Sequence, residues 1–230
     1  MTVSPGVERS ALRTPRSAAY AGGIFALLLI ASLLTIRFAL PAKPADNADR
    51  LLTSPEREFL LVGLGLVPFA AVAFLWFIGV LRDRIGERED KFFATVFLGS
   101  GLLFVAILLV AEALCTAMVL SVRPSRQSGA VITPAGWELS RNLTTQLLQA
   151  ALQMAGVFTT ATSTLLLRTG AAPRWLAWAG TVLSVILILG AFFSGWTGLR
   201  FPLWILALSI TILIEVRRSG TAIEISTESA

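Results

Sequence analysis

Six long apolar segments constrain this chain of 230 residues more than any other feature of its sequence. They lie near 18–40, 59–81, 92–121, 143–167, 174–194 and 201–216. A helix needs about 20 apolar residues to cross the hydrocarbon core of a bilayer, and most of the segments reach that length. Since no residue alternation typical of barrel strands runs far enough, helices must carry the spanning. The sequence therefore predicts an all-α integral membrane bundle of six transmembrane helices.

The composition supports a membrane protein over a soluble one. Apolar residues make up 55% of the chain and charged residues 14%, and a soluble domain of this size cannot bury so much apolar surface. A net charge of +5 in a soluble protein would suggest nucleic acid as a partner. Because the basic residues lie between and beyond the spans, we expect membrane lipids as partners and no nucleic acid.

The distribution of arginine and lysine predicts the topology. Basic residues are densest before the first span, between Arg82 and Lys91, and around 168–174 and 217–218. The positive-inside rule places these segments, and both termini, in the cytoplasm. The sequence thus predicts a multi-pass protein of the cell (inner) membrane, with a transmembrane domain at 18–217 and disordered cytoplasmic tails at 1–17 and 218–230.

Two longer connections, 41–58 and 122–142, are then external. In each, a proline follows a hydroxyl residue or a short polar stretch, and helices are predicted to begin near Pro55 and Pro134. The aromatic residues near the span ends are predicted to anchor the two interfaces. They are Tyr20, Trp76, Trp175 and Trp178 at the inner side and Trp137, Trp196 and Trp204 at the outer side.

Glu112 is the one acid in the interior of the predicted spans. It lies nine residues before Ser121, which is about 13 Å below the outer end of a helix. A charge at that depth costs at least a few kcal/mol, so the carboxyl must be protonated, paired or in contact with water. Two interpretations stay open: a proton-carrying or ligand-binding group, and a neutral acid whose hydrogen bonds fix the helix register.

The fourth span carries a seam of polar and small residues at alternating spacings of three and four. These are Gln146, Gln149, Gln153, Gly156, Thr160 and Ser163. Such a face is predicted to point into the bundle, either as helix packing or as the wall of a polar cavity. Because Gln149 and Gln153 lie at a depth similar to that of Glu112, we expect one of them to contact its carboxyl.

The candidate polar intramembrane site therefore comprises Glu112, Gln146, Gln149, Gln153, Thr116 and Arg37. Thr116 shares the helix face of Glu112. Arg37, three residues from the end of the first span, is expected to extend to the interface or else to reach toward Glu112.

Several kinds of chemistry are excluded by what the sequence lacks. The chain has no histidine, which excludes histidine-ligated haem, HExxH zinc sites and Ser-His or Cys-His catalysis. Its one cysteine, Cys115, can form no internal disulfide. No cofactor and no metal are predicted. A lone acid rarely supports hydrolysis or group transfer, so an enzyme is disfavoured.

Two segments carry a resemblance to known proteins. The stretch from Phe74 to Leu102 resembles uncharacterised bacterial integral membrane proteins, and Arg168-Thr-Gly-Ala-Ala-Pro-Arg174-Trp175 resembles the inner turn of six-span families known as domains of unknown function. Those families also place a glutamate in the third span, which Glu112 matches. The resemblance implies a six-span fold and the bacterial inner membrane, and it implies no activity.

Three functions remain as hypotheses. The first is a small-solute or proton-linked transporter or binding protein with its polar site around Glu112 and the glutamines of the fourth span. The second is a structural or accessory protein that contacts another membrane protein. The third, a lipid-modifying enzyme, lacks the paired acids that such chemistry needs.

Overall fold

The described part of the chain is helical throughout. The computed structural model describes residues 5–39, 55–85, 91–121, 134–170, 172–190 and 196–228. Most of the predicted external loops, 41–58 and 122–142, and the centre of the charged connection between Arg82 and Lys91 lie outside these residues. Within them there are six helices: α1 (Pro5–Ala39), α2 (Pro55–Ile85), α3 (Lys91–Leu120), α4 (Pro134–Thr169), α5 (Arg174–Leu189) and α6 (Thr197–Glu228).

Five of these helices, all except α5, are long and apolar enough to cross a membrane. They confirm a multi-pass membrane protein. Helix α5 corresponds to the span predicted at 174–194 but has only 16 residues, about 24 Å against a hydrocarbon core of about 30 Å. It ends where Gly190 adopts a left-handed conformation with φ of 58°, a common way for glycine to terminate a helix.

The helix ends differ from the prediction at the two termini. Pro55 and Pro134 open α2 and α4 as expected, since proline is well suited to the first helical position. In contrast, α1 begins at Pro5 and α6 continues to Glu228, inside segments predicted to be disordered. Extending an existing helix adds a hydrogen bond for each residue fixed.

The six helices form a closed ring in chain order, with α6 returning to α1. Neighbouring helices run antiparallel. Between α1 and α2, Gly22 of α1 lies against Phe77 of α2, and Gly63 of α2 lies against Thr35 of α1. We call the end holding the last residues of α1 and the first residues of α2 the distal end, and the opposite end the proximal end. Gly22 of α1 meets Ser209 of α6, so α1 begins and α6 finishes at the proximal end.

A layer of buried phenylalanines fills the middle of the ring. Phe74 of α2 is its hub, with ring centroids 4.5 Å from Phe25, 5.2 Å from Phe104 and 5.1 Å from Phe158. Phe201 of α6 closes the set at 6.0 Å from Phe74. Tilted and edge-on arrangements at these distances are favourable for aromatic rings. This phenylalanine layer joins five of the six helices and separates the distal half from the proximal half.

The outer surface of the ring is apolar, as a lipid-facing surface must be. Val62, Phe69 and Trp76 on α2 are all more than 60% exposed. Two predicted interface anchors are wrong: Trp137 and Trp204 are buried inside the bundle. Both rings pack against neighbouring helices, and the indole N–H of Trp204 donates to the carbonyl of Leu176 at 3.2 Å.

Candidate functional site: a cavity around Glu112

A cavity lies between α1, α2, α3 and α4 in the distal half of the ring. Its volume is about 150 Å³. Leu29 and Leu108 line it and lie one helical turn from Phe25 and Phe104, so the phenylalanine layer forms its proximal floor. Helices α5 and α6 contribute none of its lining residues. The cavity therefore belongs to one side of the ring and is closed toward the proximal half.

A cluster around Trp137 closes the distal side of the cavity. Trp137, near the start of α4, packs in a buried group with Leu60, Met118 and Val119. Two further members of that group, Leu64 and Cys115, also line the cavity. Because both the floor and the distal side are built from buried apolar side chains, a bound molecule would be largely removed from water.

Most of the cavity wall is apolar, with a few polar groups among aliphatic side chains. The lining residues are Leu29, Ser32, Leu33, Ile36, Leu64, Val67, Leu108, Ala111, Glu112, Cys115, Thr144, Thr145 and Leu148. Thr145 is exposed, so the cavity approaches the surface of the described chain along α4. Such a wall, apolar with a few placed polar groups, is typical of small-molecule sites.

Glu112 brings the one carboxyl into this cavity and is half-buried there. Thr116, one turn further along α3, donates its hydroxyl hydrogen to Oε1 of Glu112 at 2.7 Å. Position 116 was thus correctly placed beside the acid. The lining contains no lysine or arginine, so no basic residue of the wall compensates an ionised Glu112.

Ser32 of α1 is the second polar group in the cavity wall, and it is unusual among the hydroxyls of the bundle. Most buried or half-buried hydroxyls donate to the carbonyl one turn earlier, as Thr35 does to Ala31 at 2.8 Å and Thr159 to Ala155 at 2.7 Å. Ser32 is completely buried, and its Oγ has no hydrogen-bond partner among the described residues. An orphaned buried hydroxyl is costly and needs an explanation.

Two other buried serines without a hydrogen-bond partner, Ser163 and Ser209, have a packing explanation. The Oγ of Ser163 sits against the Cα side of Gly180, and that of Ser209 sits against Gly22. Small residues allow such close helix contacts in membranes. Ser32 differs from them because it lies among the residues that line the cavity.

The polar seam of α4 does not surround Glu112. The amide Nε2 of Gln149 lies 3.0 Å from where a Cβ on Gly190 would stand, and Gln153 donates from Nε2 to the carbonyl of Ile188 at 3.5 Å. Both glutamines thus face the end of α5. With Gly156 and Ser163 they form a helix-packing surface between α4 and α5, and these contacts replace the expected contact of a glutamine with Glu112.

The remaining members of the predicted site also lie away from the cavity. Gln146 is exposed on α4 and is not among the residues that line the cavity. Arg37 is exposed, and its guanidinium carbon lies 5.9 Å from the ring centroid of Trp196, within the range of a cation–π contact. Arg37 therefore extends to the distal end of the bundle, in line with the interfacial alternative, and does not reach toward Glu112.

Sequence reasoning missed Ser32, Thr144 and Thr145 as neighbours of Glu112. One signal could have identified Ser32. It lies seven residues before the end of α1, and Glu112 lies eight before the end of α3, so both are about 11 to 12 Å from the distal end. Depth in the bilayer is readable from sequence, whereas the direction in which Ser32 points is not.

The site offers no metal chemistry within the described residues, where no group of three or more potential metal-binding side chains occurs. Glu112 and Cys115 are the titratable residues of the lining. What the arrangement can do is bind: one carboxyl and one unsatisfied hydroxyl are presented in an apolar enclosure. No family model, curated protein or solved structure matches the chain.

Proposed function

We propose that this chain is a six-span protein of the bacterial inner membrane that binds a small, mainly apolar solute in the Glu112 cavity. The observation that carries the proposal is a partly open cavity with a carboxyl and an orphaned hydroxyl in otherwise mainly apolar walls. An intramembrane acid marks a functional site by default, and here the acid faces a space that a ligand can fill.

The membrane placement follows from the helices and the charges. Helix α5 serves as the sixth span, with the bilayer thinning locally to match its length. Arg82, Arg168 and Arg174 are exposed at the proximal end, which supports a cytoplasmic proximal end under the positive-inside rule. The distal half, with the cavity, then faces the external leaflet, and both termini are cytoplasmic.

The geometry supports solute binding in the distal half, entered along α4 beside the exposed Thr145, more directly than it supports passage through the bundle. The phenylalanine layer around Phe74 closes the cavity toward the proximal half. Transport would require these rings to part, which is a second conformation of the bundle. Proton-linked transport remains part of the proposal because Glu112 can carry a proton between two such conformations.

A small carbodiimide tests whether an apolar molecule reaches Glu112. Diisopropylcarbodiimide reacts with protonated carboxyls in apolar surroundings, and its adduct can be assigned by mass spectrometry. In native membranes we expect an adduct on Glu112. The exposed Glu58 serves as an internal control and should remain largely unmodified.

Two alanine variants on α3 provide the matched control. Ala111 lines the cavity, whereas Ala113, two residues away, is exposed on the outer surface. Ala111→Leu should fill the cavity and strongly reduce the adduct, and Ala113→Leu should leave it unchanged. Failure of Glu112 to react at any pH, or equal reaction in the two variants, would overturn a solute-binding cavity and favour a structural or accessory protein.

A further inference from the structure

We infer that the occupant of the cavity is a small lipophilic ammonium ion, a protonated amine on an apolar body of about one ring, held between Glu112 and Ser32. This inference rests on the proposed function, because it presupposes that the cavity admits a solute. It adds the charge and size of that solute, the two groups that recognise it, and the proton that it replaces.

The first argument is the charge of the wall. Glu112 is the one carboxyl of the lining, the other titratable group is the thiol of Cys115, and no basic residue lines the cavity. An ionised carboxylate without a partner in low-dielectric surroundings costs several kcal/mol. The carboxyl is therefore satisfied by a proton, by water, or by a cation that enters the cavity. An anionic solute would meet the acid with like charge and is disfavoured.

The second argument is the arrangement of hydrogen-bonding groups. Thr116 occupies only Oε1 of Glu112, which leaves Oε2 able to accept a hydrogen bond from a ligand. Ser32, on α1 in the cavity wall, has a buried Oγ without a hydrogen-bond partner among the described residues. An ammonium group has several donors and no acceptor, so it can donate to Oε2 of Glu112 and, after a small shift of the Ser32 side chain, to that oxygen as well.

The third argument is size. The cavity has a volume of about 150 Å³. An engineered apolar cavity of about the same volume binds benzene, and it is the standard example of a cavity that holds no water. The leucines, Ile36 and Val67 of the wall suit a hydrocarbon ring or a short branched chain. A polyamine or a sugar would bring polar groups that this wall cannot satisfy.

Binding by this scheme exchanges one cation for another. When the ammonium ion enters, Glu112 gives up its proton to water, and the carboxylate and the ammonium group then form the ion pair. No bond to carbon changes, and the charge of the cavity stays neutral in both states. Such an exchange is what a proton-linked membrane protein needs, since the amine and the proton cannot occupy Glu112 together.

The test uses Cys115 as a reporter, because it is the single cysteine of the chain and lines the cavity. The full chain in maltoside micelles is treated with N-ethylmaleimide, and the rate of the adduct is followed by intact mass. Benzylamine is compared with benzyl alcohol, which has the same ring and similar size but no charge. Melting temperature, which any ligand of the folded state must raise, is recorded in parallel as an independent readout.

We expect benzylamine to protect Cys115 at concentrations about ten- to a hundredfold lower than benzyl alcohol, the range of a charge-assisted hydrogen bond. Glu112→Gln should abolish this difference, and Ser32→Ala should weaken benzylamine about three- to tenfold. Phosphatidylethanolamine added to the micelles should compete only if the natural ammonium group is that of a lipid headgroup.

The outcomes separate the two proposals. If the carbodiimide modifies Glu112 but the amine and the alcohol protect equally, or Glu112→Gln changes nothing, the cavity binds a solute and the ammonium inference is overturned. If neither compound protects Cys115 or raises the melting temperature, the inference fails again. Absence of the carbodiimide adduct as well would remove the proposed function itself.

Discussion

Gly101 of α3 offers a sharp test of how the ring is packed. A Cβ at this position would collide with Cδ1 of Ile78 on α2 and stand 3.2 Å from Cδ2 of Phe158 on α4. Overpacking of this kind costs about 1–3 kcal/mol. Gly99, on the same helix, has nothing within 4 Å of the same point. Alanine therefore fits at 99 and does not fit at 101.

The comparison of the two variants isolates the packing energy. Alanine is preferred over glycine in a helix by about 1 kcal/mol, and this gain applies equally to Gly99→Ala and Gly101→Ala. We therefore expect Gly101→Ala to be less stable than Gly99→Ala by about 1–3 kcal/mol. The free energy of unfolding can be measured in mixed micelles by tryptophan fluorescence.

A double variant identifies the colliding atom. Ile78→Val removes Cδ1 and by itself costs about 0.5–1.5 kcal/mol. In the double variant, the methyl group gained at position 101 occupies the space left by Cδ1 of Ile78. The free energy of unfolding of the double variant should therefore exceed the value expected from adding the two single effects by about 0.5–3 kcal/mol. Equal stability of the two glycine variants, or strict additivity in the double variant, would refute the contact between α2 and α3 described here.

Three further outcomes are expected. Glu112→Gln should fold like the natural chain. Glu112→Lys should reduce membrane insertion or lower the melting temperature, because lysine cannot extend to water from that depth. Equal expression and melting of the lysine variant would contradict the placement of Glu112. Phe74→Ala should lower the free energy of unfolding by about 3–5 kcal/mol, and a loss below about 1 kcal/mol would show that Phe74 is not the hub of the phenylalanine layer. Trp204→Phe should cost about 1 kcal/mol by leaving the Leu176 carbonyl without its donor, which chemical unfolding would detect; unchanged stability would speak against that hydrogen bond.

The glycines of α2 and α3 show which packing contacts the sequence could not predict. Small residues commonly allow close packing of membrane helices, and the sequence places Gly63 and Gly65 in α2 and Gly99 and Gly101 in α3. In the structure, Gly63 packs against Thr35 and Gly101 packs against Ile78. A Cβ at Gly65 or Gly99 would have no neighbouring atom within 4 Å. Which of two nearby glycines meets a neighbour depends on the rotation of the helix about its axis, and residue type alone does not set that rotation.

The seam of α4 illustrates the same limit at the candidate site. Its spacing correctly predicted one polar face that packs within the bundle. The identity of the neighbour was not predictable, because α3 and α5 both flank α4 and either could receive Gln149 and Gln153. The structure places these glutamines against the end of α5 and leaves Glu112 with Thr116 and the cavity.

What the sequence by itself determined is the class of the protein, five of its long apolar helices, the starts of α2 and α4, and Glu112 as the singular buried acid. These follow from segment length, residue type and local capping, which act within one helix. Only the tertiary structure decided the phenylalanine layer and the placement of Glu112 and Ser32 in the wall of one cavity. Lipid and protein interior are both apolar, so hydrophobicity does not mark the buried face of a helix. That choice is made by the fit of side chains from helices far apart in the chain.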